Sequence, residues 1–313
     1  MVRLTVLLAA ISAAVLCAAD GPPTWAYGTV PQAAAPAPSQ QPPDASLKHL
    51  PNSSAAFTAA QIADRFNPAD WYPGDHPAMP DIVAHGRKPE IWACALCHYP
   101  NGKGRPENAG VSGFPSSYFI EQMKEFREGS RSSADLRKKN TNIMIAIAKA
   151  MTDEEIKASA DYFAAMQWTP WIKVVETATV PKTHTSVGMF LPLEGNEKEP
   201  LGQRIIEMPV DPEATEALRD PRSGFIAYAP IGSIKKGAKL AAGCAVCHGA
   251  GLKGLGPVPG IAGRSPSYLV RQLYDMQQGT RKGSWTELMK PVVSGLSEED
   301  MLNIAAYTSS RTP

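Results

Sequence analysis

The sequence predicts an all-α fold: two copies of one helical domain in tandem, joined by a long connector that carries a few short β segments. Three observations predict it. The chain repeats itself, since Tyr118, Gln122, Gly129 and Arg131 recur 150 positions later as Tyr268, Gln272, Gly279 and Arg281. Both copies show apolar residues at helical spacing behind recognisable helix starts. Between the copies, from about 168 to 232, the texture changes to β-branched residues punctuated by prolines.

In chain order, residues 1–19 read as a secretory signal. Arg3 supplies the positive start, residues 4–16 are an apolar run, and Cys17-Ala18-Ala19 offers small residues for cleavage before Asp20. The run is short for a membrane span. Residues 20–57, rich in Ala, Pro, Ser and Gln, read as a flexible tether. The first domain is expected over 58–168, with a helix through Tyr118, Gln122 and Phe126 that stops at Gly129. Thr152 with Glu155 forms a capping box for its last helix. The connector covers 169–232 and is too long for a simple hinge. The second domain covers 233–313, where Ser297 with Asp300 repeats the helix start at an offset of 145. Short helices are also expected before each cysteine pair, at about 79–97 and 233–247.

Lys and Arg number 31 against 30 Asp and Glu, so the chain lacks the basic excess that a nucleic-acid binder needs. Of five cysteines, Cys17 leaves with the signal. The other four form two pairs, each followed at once by histidine: Cys94-Ala95-Leu96-Cys97-His98 and Cys244-Ala245-Val246-Cys247-His248. Cys-x-x-Cys-His is the attachment signature of haem c. Two thiols three positions apart on a helical turn reach the two vinyl groups on one porphyrin edge, and the adjacent imidazole faces the iron. A thioredoxin-like redox pair would want a βαβ context, and a zinc site would need no histidine at this place. Two covalently bound haem c groups are therefore expected.

Haem iron takes a second axial ligand or keeps an open site, and a methionine thioether suits electron transfer. The repeat singles out Met144 and Met289, each seven positions before the equivalent residues Met151 and Leu296. Met123, Met151, Met166, Met276 and Met301 sit in helical patterns and read as core. His49, His76, His85 and His184 have no counterpart under the repeat, and surface or structural roles fit them.

In combination these motifs resemble the dihaem class I cytochromes of the cytochrome c4 type, over about 85–165 and 235–310. The resemblance implies two class I cytochrome c domains related by pseudo-twofold symmetry, with haem propionates near the domain interface. It implies propionate contacts by Arg131 and Arg281, with Tyr118, Gln122, Tyr268 and Gln272 nearby. It also implies that the Pro259 carbonyl takes the His248 ring N–H. The first copy departs from that pattern, having Ala109-Gly110-Val111-Ser112-Gly113 where the second has Pro259-Gly260-Ile261-Ala262-Gly263. The haem on His98 is thus expected to be the less tightly held. The long connector is a second departure.

The function expected is one-electron transfer in the periplasm, without catalysis, from a dehydrogenase or membrane complex to an oxidase or reductase. Membrane association is not required for it. Rival readings are a dihaem peroxidase, a dihaem thiosulfate dehydrogenase, or the cytochrome subunit of a larger dehydrogenase.

Overall fold

A computed structural model describes residues 21–30 and 44–313. The expected signal over 1–19 and the proline-rich middle of the expected tether lie outside the described residues. In the first copy the helices are Asp81–Ala84, Cys94–His98, Ser116–Glu128, Lys139–Ala150 and Asp153–Ala164. In the second they are Ser233–Leu240, Ala245–His248, Pro266–Gln277, Thr286–Val293 and Glu298–Ser309, with short 3-10 turns at Ala241–Gly243 and Ala250–Leu252.

Local chemistry sets most of these boundaries. Thr152 and Ser297 both complete capping boxes, with Glu155 and Asp300 reaching back to the cap. Gly129 ends the Ser116–Glu128 helix in the left-handed region at φ 79°, where a side chain would be strained. In the first copy the helical content expected over 79–97 is divided into two short pieces. Asp81–Ala84 is followed by an Arg87–Ile91 bridge before Cys94–His98 begins. Pro89 accounts for the break, because it has no N–H for the helical ladder. In the second copy Gly237 lets the Ser233–Leu240 helix cross the last helix closely, since a Cβ there would lie 1.9 Å from the Asn303 carbonyl oxygen.

The fold is not all-α. Ile172–Glu176 pairs in parallel with Phe225–Ala229, which pairs antiparallel with Ile206–Pro209. Two small antiparallel pairs accompany this sheet, Thr179–Pro181 with Lys198–Pro200 and Thr183–Ser186 with Met189–Pro192. Along Phe225–Ala229 alternate residues are buried, the period of a strand. Ala227 and Ala229 pack with Ile205 against Leu302 and Ala306 of the last helix. The connector therefore folds into a small β layer with a core of its own, including Val180, Phe190, Leu201, Ile206 and Met208.

The tether expectation fails at both described ends. Thr24–Tyr27 is a helical turn with Ala26 and Tyr27 fully buried. Trp25 and Tyr27 carry apolar area that the surrounding Pro and Ala content masks in the sequence. Tyr27 Oη donates to Asp275 Oδ1 at 2.6 Å, and Arg271 donates to the Ala26 carbonyl at 2.6 Å. Leu50 and Phe57 join Ile62, Trp71 and Tyr72 in another small core. Among the described residues no helix is long and apolar enough to cross a membrane.

Candidate functional site

The Cys94–His98 helix presents both thiols and the imidazole to one cavity that opens to solvent. Its apolar lining comes from Phe119, Met123 and Phe126 on one helix, Ile143, Met144 and Ile147 on the next with Met151 at its C-terminal cap, and Phe163 on the last. Met144 thus shares the cavity with Cys94, Cys97 and His98. Met123 and Met151 also line it and are the more deeply buried, as core methionines should be. Met276 and Met301 are buried as well.

The same cavity also has polar lining. Arg131, Ser132, Lys138, Asn140 and Thr141 come from the first copy, and Tyr268, Arg271, Gln272 and Asp275 come from the second. Arg131, Tyr268 and Gln272 are legible from the repeat, whereas Lys138, Asn140, Arg271 and Asp275 are not. Lys138 is 4 % exposed, and burial lowers its pKa to about 7. No repeat partner or motif marks it. Only its burial, a tertiary fact, does.

His98 Nδ1 lies 2.8 Å from the Ala109 carbonyl, and His248 Nδ1 lies 2.8 Å from the Pro259 carbonyl. The missing proline therefore costs the first loop no acceptor. The second motif is closer to the surface. Cys244 is half-buried, Cys247 is exposed, and Met289 is half-buried on the Thr286–Val293 helix. Large apolar side chains stand exposed in these segments, Val246 at 79 % in the motif and Leu288 at 65 % beside Met289.

Arg131 and Arg281 meet across the boundary between the copies as an antiparallel bridge. Their contacts are reciprocal. Arg131 donates to Gln122 at 2.8 Å and to Gln272 at 2.9 Å. Arg281 donates to Gln272 at 2.9 Å, to Gln122 at 2.8 Å and to Tyr118 at 3.0 Å. Ser132 N–H to Thr280 O and Lys282 N–H to Ser130 O complete the bridge at 2.8 and 2.7 Å. The repeated Tyr, Gln and Arg residues thus converge on one buried seam.

The rival chemistries fit poorly. Burial pushes the Cys94 thiol up to about 11 and raises Cys97, the reverse of what a redox-active or zinc-binding thiolate needs. Among the described residues no three His, Cys, Asp or Glu side chains converge to hold a metal ion. A porphyrin suits the cavity, which is lined by two thiols and an imidazole from one helix, by apolar side chains and by the cationic donors Arg131 and Arg271. The cytochrome c family model matches residues 88–167 and 234–312, just over half of the chain and both copies.

The chain belongs to the cytochrome c family. It carries two covalently bound haem c groups, one for each copy, and it resembles the dihaem cytochromes c4. A thiosulfate dehydrogenase electron acceptor from Stutzerimonas stutzeri is 27 % identical over 226 residues, covering 71 % of this chain and 80 % of that protein. Cytochrome c4 from Pseudomonas aeruginosa is 23 % identical over 216 residues, covering 68 % and 81 %. A solved thiosulfate dehydrogenase from Marichromatium purpuratum superposes with a TM-score of 0.45 at 25 % identity, over 74 % of this chain and 39 % of that one. Haem iron supplies reversible one-electron chemistry, and the protein's own ligands and donors tune it.

Proposed function

We propose that this cytochrome is a periplasmic one-electron carrier in which His98 with Met144, and His248 with Met289, are the axial ligand pairs. The observation that carries the reading is Met144 in the same cavity as Cys94, Cys97 and His98. Met289 is its equivalent under the sequence repeat. A thioether and an imidazole on each iron leave no position for substrate, which separates a carrier from a peroxidase. Arg131 and Arg281 are read as propionate donors. Among the described residues the buried Nε of Arg281 has no hydrogen-bond partner, which suits an added acceptor. A thiosulfate dehydrogenase is the proposed donor, since a relative that aligns with 71 % of the chain is named as the electron acceptor of that enzyme.

Spectral redox titration of the purified holoprotein tests this. Both haems should be low-spin and show the far-red thioether-to-iron band when oxidised. They should accept one electron each from a thiosulfate dehydrogenase supplied with thiosulfate. A high-spin haem together with rapid peroxide reduction would overturn the carrier assignment. A silent mixture with thiosulfate dehydrogenase would overturn the donor assignment alone.

A further inference from the structure

The loops behind the two proximal histidines are tied together by one side chain, Arg264. It is 2 % exposed, with its guanidinium carbon 4.0 Å from the Phe114 ring centroid and 4.1 Å from that of Trp168. Its Nη1 donates to the Gly110 carbonyl at 3.0 Å, its Nη2 to the Ser112 carbonyl at 2.9 Å, and its Nε to the Gly260 carbonyl at 3.3 Å. Gly110 and Gly260 are equivalent under the repeat, as are Phe114 and Arg264 themselves. Each glycine is needed where it stands, because a Cβ on Gly110 would lie 2.6 Å from the Trp168 ring and one on Gly260 2.6 Å from the Lys253 carbonyl. The backbone of Arg264 is held in turn, since Ser309 Oγ donates to its carbonyl at 2.5 Å. It forms no ion pair among the described residues. Each of its three guanidinium nitrogens donates to a loop carbonyl.

We propose that Arg264 is a positioning residue for the first haem, doing for the Ala109 loop what Pro259 does for the loop behind His248. The guanidinium fork grips the carbonyls of Gly110 and Ser112, one and three residues beyond Ala109. It thereby fixes the direction of the Ala109 carbonyl that accepts from His98. A well-aimed acceptor orients the imidazole and strengthens it as a ligand. The second loop carries its own restraint in the proline ring. The duplicated domains reach the same His-to-carbonyl distance by two devices, one internal to a loop and one borrowed from the other domain.

The inference rests on His98 and His248 as proximal ligands, and the test separates the two. Hydrogen exchange of each proximal ring N–H is followed by NMR on the reduced holoprotein, together with the two midpoint potentials. If wild-type protein shows no protected ring N–H from either histidine, the ligand reading itself fails. With protected N–H groups present, Arg264→Lys keeps the charge and removes the fork. Exchange at His98 should then speed up by about tenfold, a loss of about 1.4 kcal/mol of local protection, with His248 little changed. The midpoint of the haem on His98 should move upward relative to the other, because a looser acceptor leaves a weaker imidazole donor. Ala109→Pro placed in the R264K background should restore both readouts. The Ala109 amide donates no hydrogen bond among those described, so proline removes none there. Unchanged exchange at His98, equal changes at both histidines, or no restoration by the proline would each overturn the proposal. If R264K yields no haem-loaded protein, recovery of loading in the double variant supports the proposal and an equally unloaded double variant refutes it.

Discussion

Replacing Arg281 by methionine should break the seam between the two cytochrome c copies. Arg281 is 5 % exposed and makes three hydrogen bonds, two of them to Tyr118 and Gln122 of the other copy. Bonds from a charged donor contribute about 1.5 kcal/mol each, so their loss removes roughly 4–5 kcal/mol. Methionine fills much of the volume and relieves about 1–2 kcal/mol of guanidinium burial. The expected net loss is about 3 kcal/mol. Equilibrium urea unfolding of the holoprotein, followed by haem absorbance, reads this as a lower midpoint. Arg87→Met is the control. Arg87 pairs with Glu155 at 2.8 Å but is 47 % exposed, and its loss should cost under about 1 kcal/mol. If R281M costs no more than the control, the crossed Arg–Gln contacts do not hold the copies together.

Met144→Ala and Met289→Ala should each abolish about half of the far-red thioether band and lower one midpoint potential; either variant with a full band would exclude that methionine as a ligand. Tyr27→Ala removes a fully buried ring that bonds Asp275 and packs edge-on against Tyr274 at 6.3 Å, so a loss of about 3–5 kcal/mol is expected in the same urea assay. An unaltered midpoint would mean that the N-terminal turn is not part of the core. Asp275 supplies a pH test. Burial holds its carboxyl above the ordinary value of 3.8 despite the bonds from Tyr27 and Ala134. The folded state therefore binds this proton more tightly than the unfolded state, and the contribution falls as pH rises through that raised value. The Tm difference between wild type and Asp275→Asn should favour wild type most below about pH 4, where the carboxyl is protonated in both states, and shrink towards neutrality. A pH-independent difference would contradict the sign.

Much of this molecule was legible because its signals are local or repeated. The haem motifs are contiguous, the capping boxes span four residues, and the offset of 150 pairs Tyr118 with Tyr268 and Arg131 with Arg281. Such features need no knowledge of the path of the chain. The connector was harder. Its β-branched runs announced strands, but nothing announced that 172–176 would lie parallel to 225–229, because parallel pairing joins distant segments. The N-terminal turn was misread for a related reason. Averaged composition says tether, and burial of Tyr27 depends on a partner 248 residues away.

The sequence alone determined the cofactor class, the number of sites, the attachment residues expected and the two equivalent methionines. The first three follow from the spacing that covalent attachment demands, and the methionines follow from the repeat. Only the tertiary structure decided how the two sites are supported. The first proximal loop lacks the proline of the second and read as the looser. Yet its histidine meets a carbonyl at the same 2.8 Å. The restraint comes from Arg264, 154 positions beyond the carbonyl of Gly110 that it binds. A side chain can stiffen a loop from any point in the sequence, and only folding brings the two together.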